Sequence, residues 1–289
     1  MEKLLKWSLQ SQNPETAADA NRIEPDPKML AQLFGGADDP TLMREAMAVI
    51  CNPDADLSSK VIAFDNFEML IENIDNANNI GVLQLWKPLL SQLESPEAEL
   101  RKMASWVIGT AVQNNPKAQE QLANDEKGAI EQLLAIVKTD TDHASALKAF
   151  YALGSAVRNC PAAYNQFEAA NGWSTLRDLI DPNSQKEIAA TTRHRALNVL
   201  SAVLETEPIV EKLKRFTESG IVTALYALLE SDKQQHHYQT VDKALHVVHY
   251  LAQEKFELDP ARVKAALENI SEIEGITDNE DHQFLAANY

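Results

Sequence analysis

Ala104-Ser105-Trp106-Val107-Ile108-Gly109 is matched by Ala149-Phe150-Tyr151-Ala152-Leu153-Gly154, and then by Ala196-Leu197-Asn198-Val199-Leu200-Ser201 and Ala244-Leu245-His246-Val247-Val248-His249. A weaker copy starts at Ala63. Successive copies are spaced by 41, 45, 47 and 48 residues. Each opens with alanine inside a run of helical period, so the chain repeats one supersecondary unit.

The copies share punctuation. Pro116, Pro161 and Pro208 are expected to end the long helices. Gly128, Gly172 and Gly220 each precede a further apolar stretch: Ile130-Leu133-Leu134-Val137, Trp173-Leu176-Ile180 and Val222-Leu225-Leu229. Helix, proline, helix, glycine, helix at a period of about 40–47 residues is the pattern of armadillo and HEAT arrays. An irregular helical bundle is the alternative, but fixed proline and glycine positions favour stacked repeats. No unit buries its own apolar face, so neighbours must stack. The fold class expected is all-α, an armadillo-type right-handed solenoid with a flexible N-terminal arm.

Outward from the repeats, residues 26–289 read as the armadillo-repeat domain. Capping helices span 26–51, repeats follow at about 55–90, 97–137, 142–180, 189–230 and 238–274, and a C-terminal cap closes the chain. Asp26-Pro27 and Asp39-Pro40 each place an N-cap before a proline, and Gly35-Gly36 stops the first short helix. Residues 1–25 read as the arm, because Gln10 to Glu24 is polar and without period. Its tip clusters Leu4, Leu5, Trp7 and Leu9 beside Lys3 and Lys6.

The 289 residues carry 26 basic and 43 acidic side chains, a net charge of −17. That field repels polyanions, so neither nucleic acid nor an anionic membrane is expected as a partner. The N-terminus lacks an apolar secretory stretch and no segment is long and apolar enough to span a bilayer, which sets a cytoplasmic protein as the expectation. A monomer is expected as well. Cys51 and Cys160 read as isolated small apolar residues, not a disulfide scaffold.

Catalytic motifs are missing: no glycine-rich phosphate loop, no G-x-S-x-G, no H-E-x-x-H. His246 and His249 share a helix face with Asp242, near His236 and His237. That spacing suits zinc, yet a third ligand has no clear place, so no metal, cofactor or enzymatic activity is expected. Extended-peptide capture on armadillo folds uses a Trp and Asn ladder. Here the Trp positions hold Asp65, Trp106, Tyr151, Asn198 and His246, and the Asn positions Met69, Thr110, Ser155, Ala202 and Tyr250. Without the asparagines, a folded domain is the expected occupant of the groove.

Met1-Glu2-Lys3-Leu4-Leu5-Lys6-Trp7-Ser8, Gln32-Leu33-Phe34-Gly35-Gly36 and the block Ala63-Phe64-Asp65-Asn66-Phe67-Glu68-Met69-Leu70-Ile71-Glu72-Asn73-Ile74-Asp75-Asn76-Ala77-Asn78-Asn79 together carry a resemblance. So do Ile108 to Asn114, Lys148 to Leu153, and Arg158-Asn159. The chain resembles the fungal Fes family of chaperone nucleotide exchange factors, relatives of the animal heat-shock-protein-binding proteins. The resemblance implies a partner, the nucleotide-binding domain of cytosolic seventy-kilodalton heat-shock chaperones, with extension to ribosome-associated ones. It implies an activity too: loosened ADP and released client, with a link to translation. It points to Ala77, placed just past a helix end in an Asp75-Asn76-Ala77 turn, and to Asn78, Arg158 and Arg195 as partner contacts, whereas Ala146 and Gly154 depart from the family pattern. Leu4, Leu5, Trp7 and Leu9 are expected to mimic a client. A generic armadillo adaptor without exchange activity is the competing reading.

Overall fold

The Asp38 carboxylate accepts the Thr41 amide at 3.1 Å, and Pro40 occupies the first turn, where a missing amide costs no hydrogen bond; α1 therefore runs Asp39–Cys51. The structure, a computed structural model, describes residues 37–126, 128–184, 187–206, 208–232 and 237–289. The arm with Leu4, Leu5, Trp7 and Leu9, and the helix expected from residue 27, lie outside the described residues.

After α1 come α2 (Leu57–Ile71), α3 (Ile74–Val82), α4 (Trp86–Ser91, continued by a 3-10 turn at Gln92–Glu94) and α5 (Ala98–Val112). The repeat continues with α6 (Pro116–Ala123), α7 (Ala129–Thr139) and α8 (His143–Val157), then α9 (Pro161–Ala169), α10 (Gly172–Ile180) and α11 (Ala190–Leu204). The chain closes with α12 (Ile209–Ser219), α13 (Ile221–Leu229), α14 (Tyr238–Gln253), α15 (Pro260–Ile270) and α16 (Glu280–Asn288). No strand occurs among the described residues.

The long helices α2, α5, α8, α11 and α14 stack side by side in chain order. The repeated alanine explains the stacking. Ala104, Ala149, Ala196 and Ala244 are fully buried and Ala63 nearly so, because a methyl group lets adjacent backbones approach. Gly109 goes further: a Cβ there would stand 2.4 Å from the Tyr151 ring, so any side chain would push α5 off α8. Beneath this row lie α7, α10 and α13, with Leu133, Leu176 and Leu225 buried. A chain of edge-to-face aromatic contacts ties the layers together: Phe167–Trp173 at 6.0 Å, Trp173–Phe216 at 6.4 Å and Phe216–Phe256 at 5.8 Å. Such a pair adds about 1 kcal/mol beyond the area it buries.

The punctuation differs from the expectation. Pro116 and Pro161 do not end the long helices but start α6 and α9, and Pro208 stands just ahead of α12. The reversal is made by Asn114 and Asn159, at φ 52° and 54°, since asparagine tolerates the left-handed region better than most residues. Gly128 and Gly220 take positive φ, but in the middle repeat that geometry falls to Asn171. Gly172 is needed for closeness instead: a Cβ there would meet the Phe167 ring at 2.3 Å.

Candidate partner-binding groove

The open face of the long-helix row is the surface such solenoids use for binding. Two of the expected contact residues meet on it. Arg158, the residue capping the end of α8, and Arg195, near the start of α11, line one cleft of about 180 Å³. Tyr151, Asn198 and Gln113 complete its polar wall, and the Tyr151 hydroxyl donates to Gln113 Oε1 at 2.9 Å. The departure at Gly154 also falls on this cleft, whereas Ala146 is buried within α8. A Cβ at Gly154 would lie 3.6 Å from Val199 Cγ2, an ordinary contact, so the wall tolerates a small side chain.

The arginines differ in state. Arg158 is paired with Glu205, which follows α11. Arg195 is exposed and makes no ion pair among the described residues. A free guanidinium beside a half-neutralised one favours an incoming carboxylate, which a fork of donors binds at two points.

Two further cations sit in the same register and escape single-motif reading. Lys148, Arg195 and Lys243 each stand one residue before the repeated alanine, so α8, α11 and α14 present them in one row. The Lys148 ammonium lies 4.7 Å from the centre of the Trp106 ring. Burial pushes its pKa down, and Lys102 and Arg195 add repulsion that Glu68 opposes. Burial also pushes Lys243 down, with Arg158 acting the same way and Asp242 and Asp281 opposing. Both shifts come first from burial of the ammonium groups, with neighbouring cations adding to it, in a chain whose net charge is −17.

Ala77 and Asn78 are not part of this cleft. The turn expected there is helix: both residues lie within α3, whose neighbours are α1, α2, α5 and α6. Asn73 caps α3 by accepting the Asp75 amide at 2.9 Å. Asn76 donates to Asp39 at 2.8 Å and to the Leu70 carbonyl at 2.9 Å. The polar residues that read as a turn are thus the start of a helix. Ala77 is only 2% exposed and belongs to the core, which corrects its placement at a turn surface and leaves its methyl group unavailable to a partner. Asn78 is half-buried, and its carbonyl accepts from Gln121 Nε2 at 3.0 Å.

Two of the peptide-ladder positions make contacts within the stack. Trp106 carries Lys148, and Thr110 donates to Glu68 at 3.0 Å. His246 and His249 both turn toward Asp281 on α16; His246 Nδ1 stands 3.3 Å from it, and the His249 ring lies 4.1 Å from Phe284. Asp242 is engaged elsewhere, by Asn279 at 2.6 Å. These side chains fasten the last helix to the stack, and no group of three or more metal-ligating side chains gathers among the described residues. Among these residues no helix is long and apolar enough to cross a membrane.

Comparison with known proteins places these features. Residues 1–80 match the family model described as nucleotide exchange factor Fes1, and residues 73–204 the SIL1/FES1/HPBP1 C-terminal domain. The Hsp70 nucleotide exchange factor FES1 of Yarrowia lipolytica is 40% identical over 284 residues, covering 98% of this chain and 96% of its own. That of Saccharomyces cerevisiae is 37% identical over 299 residues, covering 100% and 99%. Among solved structures, a designed armadillo repeat protein in complex with the peptide (KR)4 aligns with TM-score 0.65 at 16% identity, over 86% of this chain and 98% of that one. This last likeness concerns the fold alone.

Proposed function

This chain belongs to the Fes1 family of Hsp70 nucleotide exchange factors, and from that premise we propose that the cationic cleft of α8 and α11 grips the chaperone's nucleotide-binding domain. The protein is an Hsp70 nucleotide exchange co-chaperone. Likeness to exchange factors along the whole chain is the observation that carries this reading, and the unpaired Arg195 within a row of cations is what the geometry adds.

The mechanism is a shift of population. A nucleotide-binding domain fluctuates between a closed form that holds ADP and an open form that releases it. A protein that binds the open form more tightly raises its share by the ratio of the two affinities; a tenfold preference takes about 1.4 kcal/mol. No side chain of this protein then has to touch the nucleotide, so we assign it no catalytic step of its own. Lys148, Arg158, Arg195 and Lys243 supply attraction to an acidic partner surface, which speeds encounter and fixes register.

The same reading takes a monomer acting in the cytoplasm on cytosolic chaperones, and on ribosome-associated ones during translation. Residues 1–25 have a separate role in it. Leu4, Leu5, Trp7 and Leu9 with Lys3 and Lys6 compete for the client site, their effective concentration raised by tethering. Asn78 keeps a role only as a neighbouring contact on α3. Stopped-flow release of a fluorescent ADP analogue from the chaperone tests exchange, and the same assay with residues 1–24 deleted tests the arm. Exchange is expected to persist in the deletion while displacement of bound misfolded client slows; loss of both would make the arm part of the exchange machinery.

A further inference from the structure

The Arg158 amide donates to the Gly154 carbonyl and Asn159 then turns the chain, so the last carbonyls of α8 have no donor within the helix. Side chains of the two neighbouring repeats supply donors instead. Gln119 of α6 sends one amide hydrogen to the Ser155 carbonyl at 2.7 Å and the other to the Arg158 carbonyl at 2.9 Å. From the opposite side comes Thr206, just past α11. Its hydroxyl hydrogen is shared between the Val157 and Ala202 carbonyls, at 2.9 and 3.1 Å, and its oxygen accepts the Asn159 amide at 2.9 Å. Gln119 is 4% exposed and Thr206 1%.

The repeat itself does not call for either residue. The place of Gln119 is taken 45 residues later by Tyr164, whose hydroxyl turns to Glu168 at 3.4 Å. Thr206 stands where Asn114 and Asn159 make the left-handed turns of the two earlier repeats. Both departures fall on the turn that carries Arg158 to the cleft. Buried polar groups are costly unless bonded, and the bonds made here converge on Val157-Arg158-Asn159. We infer that Gln119 and Thr206 are positioning residues for Arg158. They fix the backbone from which its side chain, 39% exposed, enters the cleft. A guanidinium grips a carboxylate at two points only when its direction is set, and a helix end left to fray does not set it. Both residues are buried, so neither touches the partner. The inference rests on the reading of the cleft as the chaperone site and adds to it the residues that hold the cleft in shape.

Double-mutant cycles on the full chain test it, with affinity for the chaperone read by titration calorimetry beside thermal unfolding. Arg158→Ala should weaken binding by roughly tenfold. Gln119→Met and Thr206→Val keep the volume and remove the bonds, and each should weaken binding by roughly threefold to tenfold. Thr206→Ser keeps the hydroxyl and should restore it. In the Arg158→Ala background neither substitution should weaken binding further, whereas in an Arg195→Ala background both should keep their full effect. Lys212→Met is the control: it strips a donor from the Thr206 carbonyl and leaves the hydroxyl in place, so it should lower stability and spare affinity. Each of the two substitutions decides the question alone, so one that fails to fold leaves the other to answer. Variants that melt early but bind like the unaltered protein would overturn the inference, and so would losses that add to that of Arg158→Ala; the cleft reading survives both results. Undiminished binding by Arg158→Ala would overturn the role of Arg158 in the cleft and the inference with it.

Discussion

Arg195 and Arg158 line the same cleft, yet only Arg158 has a carboxylate, Glu205, to answer it. Arg195 is held ready, exposed and unpaired among the described residues, in a row with Lys148 and Lys243. This asymmetry separates substitutions that weaken binding from those that weaken the fold.

Arg195→Glu should lower chaperone affinity by roughly tenfold to a hundredfold and make what remains less sensitive to salt, because a cation facing an acidic surface is turned into a repulsion. Stability should move by no more than about 0.5 kcal/mol, as for most exposed positions. Titration calorimetry at two salt concentrations, beside thermal unfolding, separates the effects.

Ala77→Arg should behave in the opposite way. Its side chain is 2% exposed inside α3, so a guanidinium there must be buried without a partner or must prise the helix off its neighbours. A loss of about 3 kcal/mol or more is expected, with a clear drop in melting temperature by circular dichroism. A folded, stable variant that merely failed to bind chaperone would return Ala77 to the surface.

That residue shows where the sequence was readable and where it was not. The stack was legible, because an alanine column with helical period has no cheaper explanation than helices lying close together. Asp75-Asn76-Ala77 reads as a turn because asparagine and aspartate serve turns and helix starts alike. Only the partners distinguish them, here Asp39 and the Leu70 carbonyl for Asn76. The prolines carry the same ambiguity, since proline fits both after one helix and in the first turn of the next. Arg158 and Arg195 are 37 positions apart, and stacking alone brings them to one cleft. Lys148 and Lys243 were visible in the repeat alignment as the column before the alanine, but periodicity carries no information on charge left unpaired.

Asp140 gives the fold a pH signature. Arg101 donates to it through two hydrogen bonds of 2.7 Å, and the guanidinium holds the carboxyl down at about 2. A depressed carboxylate stabilises the fold above its unfolded value of about 3.9 and loses that contribution as pH falls through its folded value. Asp140→Asn should therefore cost roughly 2 kcal/mol at neutral pH. Its deficit relative to the unaltered protein should shrink between pH of about 4 and about 2. Melting temperatures of both proteins across that range check the sign.

Lys212 is 1% exposed, donates to the carbonyls of Thr206 and Pro208, and lies 4.5 Å from the centre of the Tyr164 ring. It closes the turn between α11 and α12 from inside. Lys212→Met keeps most of the volume but leaves these carbonyls without their donor, so a loss of about 2–3 kcal/mol is expected. Chemical denaturation should show it while chaperone affinity of the folded protein stays unchanged.

The central claim is that the cationic row of the long helices opens the chaperone's nucleotide-binding domain, and ADP release measures it directly. Saturating unaltered protein should accelerate loss of a fluorescent ADP analogue in stopped flow. Lys148→Glu/Arg195→Glu/Lys243→Glu, folded by circular dichroism, should return the rate to that of the chaperone alone. An off-rate unchanged by the unaltered protein would contradict exchange itself, and full acceleration by the triple variant would contradict the assignment of the row.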